Sequence, residues 1–358
     1  MWPDRRLIDF FKIEFPIVQA PMAGAMDADL VIAAAQGGAL GSLPCAMLSA
    51  EKAREQVLII RQQVSAPINM NFSCQRAAPS DPAREAAWKE RLTPYYVEFG
   101  LDPSMSTNTS NRAPFDDATC EVVEELKPEI VSFHYGLPEK ALLARVRAAG
   151  CKVIASATTV REAIWLEEHG VDAIIAQGAE AGGHRGMFLT ENIAEQPGTF
   201  ALVPQVVDAV RVPVIAAGGI ADGRGIAAAF ALGAAGVQIG TAYLHCPESR
   251  ISAPHRTALA QGRDDSTVIT NVMTGRPARG LVNRVMREVG PISHLAPEFP
   301  HAATSLGPLK AAAEKQGKLD FTNLWAGQAV RLGRDMPAAG LTRALAGSAL
   351  ARLSKMAG

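Results

Sequence analysis

A (β/α)₈ barrel of the TIM type, in the α/β class, is the fold this chain predicts, and three observations predict it. Eight short apolar runs recur between about residues 16 and 245, separated by Ala-rich stretches of helical period. The chain has 358 residues, enough for one barrel of about 250 residues with insertions. Glycine-rich segments follow the later runs, at the end where such barrels carry their chemistry.

The strand candidates are PIVQAPM (16–22), ALGSLP (39–44), PINMNF (67–72), IVSFHYG (130–136), KVIASAT (152–158), DAIIAQG (172–178), PVIAAGG (213–219) and GVQIGTA (236–242). Helical patterns lie between them, such as SAEKAREQVLIIRQQV (49–64) and TVREAIWLEEHG (159–170). Right-handed crossovers then place the helices outside a closed parallel ring. An open doubly wound sheet is the competing arrangement.

Two regions break the rhythm. Residues 75–115 are rich in Pro, Asn, Ser and Thr and lack a clear period. Residues 246–320 hold Pro and Gly clusters with short helical patches. Both read as insertions at the active-site end that build a cap. The expected organisation is a barrel over 1–245, a cap region over 246–320, and a helical segment over 321–358 that returns to the barrel, with WAGQAVRL helical and a break at Met336–Pro337.

Composition narrows the function classes. Hydrophobic residues make up 48% and aromatics only 6%, so the core is drawn from Ala, Val, Ile and Leu. A formal net charge of -1 gives no footprint for nucleic acid or an anionic membrane. Five scattered cysteines show neither a disulfide framework nor a zinc spacing, and no metal site is expected. Charges in MWPDRRLIDFF stand where a signal peptide needs an apolar core. The most apolar stretch, 225–240, is interrupted by Gly233, Gly236 and Gln238 and falls short of a membrane span. The expectation is a cytoplasmic protein, with homo-oligomerisation left open.

The loops after the strands carry the candidate chemistry. GGIADGRG (218–225) follows strand seven and IGTA (239–242) ends strand eight. Glycines there let backbone N–H groups approach an anion, which makes Gly218, Gly219, Gly240 and Thr241 candidates for a phosphate site. The spacing indicates a phosphate ligand without saying which. In QGAEAGGHRG (177–186), Gln177 ends an apolar strand and brings an amide to the mouth. Gly182 and Gly183 let the backbone lie flat against a ligand, and His184 then projects from a mobile loop, where an imidazole with a pKa of about 6.5 serves as acid or base. Asn69 and Asn71 share one face of strand three and need partners, either a ligand or the neighbouring strands. His134, after strand four, is a second acid–base or substrate-binding candidate, or a donor to a backbone carbonyl. Ala20, Pro21 and Met22 leave strand one with no ionisable group, a smooth edge suited to a flat aromatic ring.

Taken in order, APMAGAM (20–26), NMNFSC (69–74), SFHYGLP (132–138), QGAEAGGHRG, AAGGIADGRG (216–225), QIGTAYL (238–244) and LWAGQAVRL (324–332) resemble the motifs of the nitronate monooxygenases, in particular their class I branch. The resemblance implies FMN contacts at Asn71, Gln177, Gly182, Gly219 and the run Gln238, Ile239, Gly240, Thr241, with a catalytic His184. It further implies oxidation of alkyl nitronates such as propionate 3-nitronate by O₂ to a carbonyl compound and nitrite, through a flavin semiquinone. One departure is Gln75, where class I relatives often carry a histidine; it bears on substrate preference at that rim. Two alternatives share the barrel. One is a flavin-dependent NAD(P)H:quinone or enoyl-acyl carrier protein reductase. The other is a non-redox barrel for a sugar phosphate, which usually needs a Lys or carboxylate base where only Glu180 stands as a rival to the histidines.

Overall fold

The computed structural model describes residues 1–76, 78–105 and 113–357, and all eight predicted strands form within them. They are Ile17–Gln19, Gly41–Pro44, Ile68–Ser73, Ile130–His134, Lys152–Ala157, Ala173–Gln177, Val214–Ala217 and Gly236–Ile239. Each pairs in parallel with its neighbour in chain order, and the first pairs with the eighth, Ile17 opposite Val237. The ring closes through a parallel bridge between Val18 and Leu40, with Gln19 donating its N–H to the Leu40 carbonyl at 2.9 Å. Closure excludes the open doubly wound sheet.

Strand alternation feeds two cores. Val18, Leu40, Ile154, Ile175 and Ile215 fill the ring, while Ile17, Val153, Ile174, Val214 and Val237 face the surrounding helices. The helix Arg6–Phe11 plugs the floor, with Leu7 and Phe11 in the inner cluster. A Cβ on Gly236 would fall 2.5 Å from Cδ2 of Leu7, so the plug's fit depends on that glycine. Nearer the mouth the filling turns polar: Asn69 donates to Ser42 Oγ at 3.0 Å and Ser132 Oγ at 2.9 Å. The neighbouring strands thus supply partners for the Asn69 amide nitrogen, while its Oδ1 has none among the described residues.

Several strands stop short of their apolar runs. The first ends at Gln19, the fourth at His134, the seventh at Ala217 and the eighth at Ile239. The residues beyond, including Ala20–Met22 and Gly218–Gly219, leave the ladder and line the mouth.

The insertions are more regular than the sequence suggests. Within 75–115, where no period was visible, a 17-residue helix runs over Pro82–Glu98. Asp81 caps it by accepting the Arg84 N–H, and Pro82 occupies its first turn. Its buried stripe is Trp88, Leu92, Tyr95 and Tyr96, on an otherwise polar helix interrupted by Pro94. That stripe joins Val285, Met286, Leu306, Leu309 and Phe321 in a separate core, so the two insertions fold onto each other. Residues 106–112 of the first insertion lie outside the described residues. The second contains the helices Ala253–Ala260, Arg284–Val289 and Ala302–Lys315 and the strands Thr267–Thr270 and Ala278–Leu281.

The expected helix over WAGQAVRL is corrected: Trp325 bridges to Gly280, and only Gln328–Leu332 turns, as a 3₁₀ helix. The last helix, Ala338–Ala357, begins after Met336–Pro337 as expected and packs on the helices Ala28–Gln36 and Gly223–Ala231.

Glu162 ties this frame together behind the site. It is fully buried, and its carboxylate accepts from Thr158 N (2.7 Å), Thr158 Oγ1 (2.6 Å), Phe188 N (2.6 Å) and Leu189 N (3.1 Å). Glu162→Ala strands these donors and should lower unfolding stability by about 2–4 kcal/mol. Chemical denaturation measures this, and a loss below about 0.5 kcal/mol would contradict it.

Candidate active site

A cavity of about 600 Å³ opens at the C-terminal ends of the strands, walled by strands three to eight and by the loops that follow the first two. The residues predicted to hold the cofactor, together with His184 and His134, all line it except Ile239. At Ile239 strand alternation turns the side chain into the outer core and leaves Gln238 facing inward, so any ligand contact there would be through the backbone. Ile239 meets the mouth only through its carbonyl, which accepts the Ala20 N–H at 2.9 Å. Asn71 lines the cavity and donates to Ser132 Oγ at 2.9 Å, whereas Asn69 lies below, fully buried.

The turn after strand seven requires glycine. Gly218 and Gly219 have φ of +111° and +71°, and a Cβ on Gly218 would fall 2.8 Å from Thr199 Oγ1. Gly182 lines the cavity and is also approached closely by the chain: a Cβ would sit 2.5 Å from Gly327 N. The C-terminal segment is threaded against this loop, with Gln328 N donating to Glu180 O (3.0 Å) and Gly327 N to Thr241 Oγ1 (2.9 Å). Glu180, the rival base, is committed elsewhere. Its carboxylate accepts from Thr199 N at 2.7 and 3.0 Å and from Thr199 Oγ1 at 2.8 Å, capping the helix Thr199–Ala209.

His184 does not project from a mobile loop. Gly183–His184 forms a two-residue strand that pairs antiparallel with Ala278–Arg279. Gln177 holds the same segment from the barrel side: its Nε2 donates to His184 O (3.0 Å) and its Oε1 accepts from Gly186 N (2.8 Å). The imidazole sits among Tyr135, Phe299 and Trp325, with ring centroids at 6.4, 5.5 and 5.4 Å, and its Nε2 lies 2.9 Å from Thr274 Oγ1. The sequence reading missed these neighbours and Arg185, which is 1% exposed and donates to the Gln177 and Gly178 carbonyls. Trp325 and Arg185 stood inside motifs that had been singled out; Thr274 and Phe299 carry no local signal.

His134 lines the cavity with Nδ1 2.7 Å from Ser156 Oγ. Burial pushes its pKa down to about 4; a backbone hydrogen bond to His184 opposes this, and Arg276 and Arg185 add to it. The ring is therefore neutral at the mouth. Among the described residues, no group of three or more His, Cys, Asp or Glu is placed to hold a metal, and no helix is long and apolar enough to cross a membrane.

A family model for nitronate monooxygenase matches residues 4–347. The chain belongs to the nitronate monooxygenase family. It is 42% identical over 342 residues to a nitronate monooxygenase of Pseudomonas aeruginosa, covering 95% of this chain and 97% of that one. It is 41% identical to one from Paraburkholderia phytofirmans, covering 95% and 94%. Among solved structures, it is similar to nitroalkane oxidase from Streptomyces ansochromogenes, with a TM-score of 0.88 and 35% identity over 98% of this chain and 99% of that one. FabK from Thermotoga maritima has a TM-score of 0.75 and 27% identity over 99% and 98%. The nitronate monooxygenase match thus spans the barrel, both insertions and the first half of the last helix.

The two buried histidines of this family member set a pH dependence. Burial also pushes His255 down to about 4 from an ordinary 6.5, against a backbone hydrogen bond to Trp325. A histidine with a lower pKa in the folded chain leaves the unfolded chain holding more protons between the two values. Its stabilising effect is complete above 6.5 and is lost as the pH falls toward 4. The urea midpoint should therefore fall between about pH 7 and about pH 5, and less steeply in His255→Asn. Equal slopes in the two proteins would contradict this.

Proposed function

We propose that this chain oxidises alkyl nitronates, propionate 3-nitronate among them, with O₂ to a carbonyl compound and nitrite, using FMN held across the barrel mouth. The observation that carries the reading is one cavity holding both His184 and a glycine-built turn suited to an anion, beside an edge with no ionisable group. Membership of the nitronate monooxygenase family supports it.

The residues fit the cofactor. Gly218, Gly219 and Gly240, with no side chain to block an approach to the backbone, would hold the phosphate together with Thr241. Gln238 Oε1 is buried and has no hydrogen-bond partner among the described residues, an acceptor suited to a flavin ring N–H. Asn71 and the edge Ala20, Pro21 and Met22 would flank the ring, while Gln177 acts by placing Gly182, Gly183 and His184. FMN bound there supplies the redox chemistry.

The chain's own groups do the rest. A nitronate has already lost its carbon-bound proton, so for that substrate His184 and the aromatic groups around it only orient and shield. A neutral nitroalkane still carries the proton, and His184 is the group that takes it. His134, neutral and paired with Ser156, steadies the wall beside it.

Oxygen consumption with propionate 3-nitronate, ethylnitronate and NADH, measured side by side, tests the activity. Turnover of the nitronates without NADH is expected; anaerobic bleaching of the flavin by NADH would move the chain to the reductases. Gly219→Asp puts a charge beside the phosphate and near Glu180, whose Cβ would lie 3.3 Å from the new Cβ, and should yield largely colourless protein. Gly219→Ala carries the backbone strain without the charge and should keep more flavin. Equal flavin in the wild type and Gly219→Asp would place the phosphate elsewhere. His184→Asn should lower kcat/KM for nitroethane by about 10²–10⁴-fold and for ethylnitronate much less. Equal losses on both would make His184 an orienting group only.

A further inference from the structure

The hydroxyl beside His184 comes from the insertion after strand eight. Thr274 lies between the strands Thr267–Thr270 and Ala278–Leu281, is 1% exposed, and has its Oγ1 2.9 Å from His184 Nε2. The same hydroxyl is oriented to donate to the Arg276 carbonyl at 3.4 Å. A hydroxyl has one proton and two lone pairs, so with that proton directed at Arg276 it accepts from Nε2–H. The backbone reinforces the arrangement. Ala278, four residues after Thr274, is the register partner of His184, so one short segment fixes both the main chain and the ring of the histidine. The turn itself is held at Gly275, whose φ is +93° and where any Cβ would collide with the Pro297 carbonyl.

We propose that Thr274 is a positioning residue for proton transfer: it keeps His184 protonated at Nε2, so that Nδ1 receives the substrate proton, and it stabilises the imidazolium that results. The inference rests on the reading of His184 as the proton acceptor. The step balances without an oxidant. The C–H bond of the neutral nitroalkane breaks, its electron pair moves into the nitro group to give the nitronate, and the proton bonds to Nδ1. The imidazolium then donates from Nε2 to Oγ1, whose own proton stays on the hydroxyl, directed at the Arg276 carbonyl.

Among the described residues, the charged and titratable neighbours do not obscure the signature. Arg276 lies over the Tyr135 ring at 4.3 Å, Arg185 and Glu180 share the segment of His184, and Arg279 follows its register partner. None of these side-chain types changes charge between about pH 6 and about pH 9. His134 is pushed down to about 4 and is neutral throughout.

The test compares Thr274→Val, Thr274→Ser and His184→Asn with the wild type, at matched flavin content and after thermal melts confirm folding. Freshly dissolved nitroethane and ethylnitronate are the substrates, across about pH 5.5–9. Thr274→Val removes a hydrogen bond to a charged group and should lower kcat/KM for nitroethane about 10- to 100-fold. The ascending limb of its pH profile should move to lower pH, because the imidazolium is less stable, while ethylnitronate turnover falls much less. Thr274→Ser keeps the hydroxyl and should restore both the rate and the limb. Equal losses on the two substrates with an unmoved limb, or a serine variant as impaired as the valine one, would overturn the proposal. If His184→Asn shows no contrast between the substrates, it is the assignment of the base that fails. A contrast at His184→Asn with none at Thr274→Val refutes the role of Thr274 alone.

Discussion

The barrel mouth depends on the way the segment from Gln177 to Gly186 is folded back on the strand it leaves. Two side chains within the segment do this. The Gln177 amide grips it at His184 and Gly186, and the Arg185 guanidinium donates to the Gln177 and Gly178 carbonyls at 2.6 and 2.5 Å. Burial pushes the Arg185 pKa down to about 10, so the group still carries its charge near neutrality. A buried cation is tolerable only when fully hydrogen-bonded, and carbonyls together with the Gln196 amide oxygen at 3.1 Å satisfy it here. The nearby charges of Glu180 and Glu162 favour the charged form. The result is a short rigid platform in place of a free loop, on which a histidine can be aimed.

How much of this was legible in the sequence follows from what each element packs against. The eight strands showed because they are buried on both faces, so short apolar runs such as AIIA and VIAA stand out even though Ser42, Asn69, Asn71 and Ser132 interrupt others. The helix Pro82–Glu98 did not, because only four of its residues are buried and their partners lie about two hundred positions away, in 285–321. Pro94 and the polar surroundings then outweighed a stripe that becomes meaningful only once the second insertion is in place. The segment Leu324–Leu332 failed for the converse reason. It has helical composition, yet Gly327 is drawn flat against Gly182 and Thr241.

Within the site, residue type carried further than residue contact. Glycines at positive φ and polar groups ending apolar strands stand out in a bare sequence, and these were found at the mouth. Strand phase is what a motif read as a continuous run hides: alternate residues face opposite ways, so the Gln238 side chain enters the mouth while that of Ile239 joins the outer core. The assignment of Gly182 shows the companion lesson: a glycine needed for close approach does not reveal what approaches. Thr274 was invisible because a buried threonine in a turn looks the same whether it meets a carbonyl or an imidazole.

The C-terminal thread also bears on how the molecule comes into being at the ribosome. The barrel strands end at Ile239, and their pairing can proceed as they emerge. The loop carrying His184, however, takes its backbone partner from Ala278–Arg279 and rests against Ala326–Gly327, near the end of the chain. A nascent chain released early would hold a nearly complete ring with its catalytic rim unsupported. The rim that carries His184 can therefore be completed only after residues 278–279 and 326–327 have been made, later than the ring it crowns.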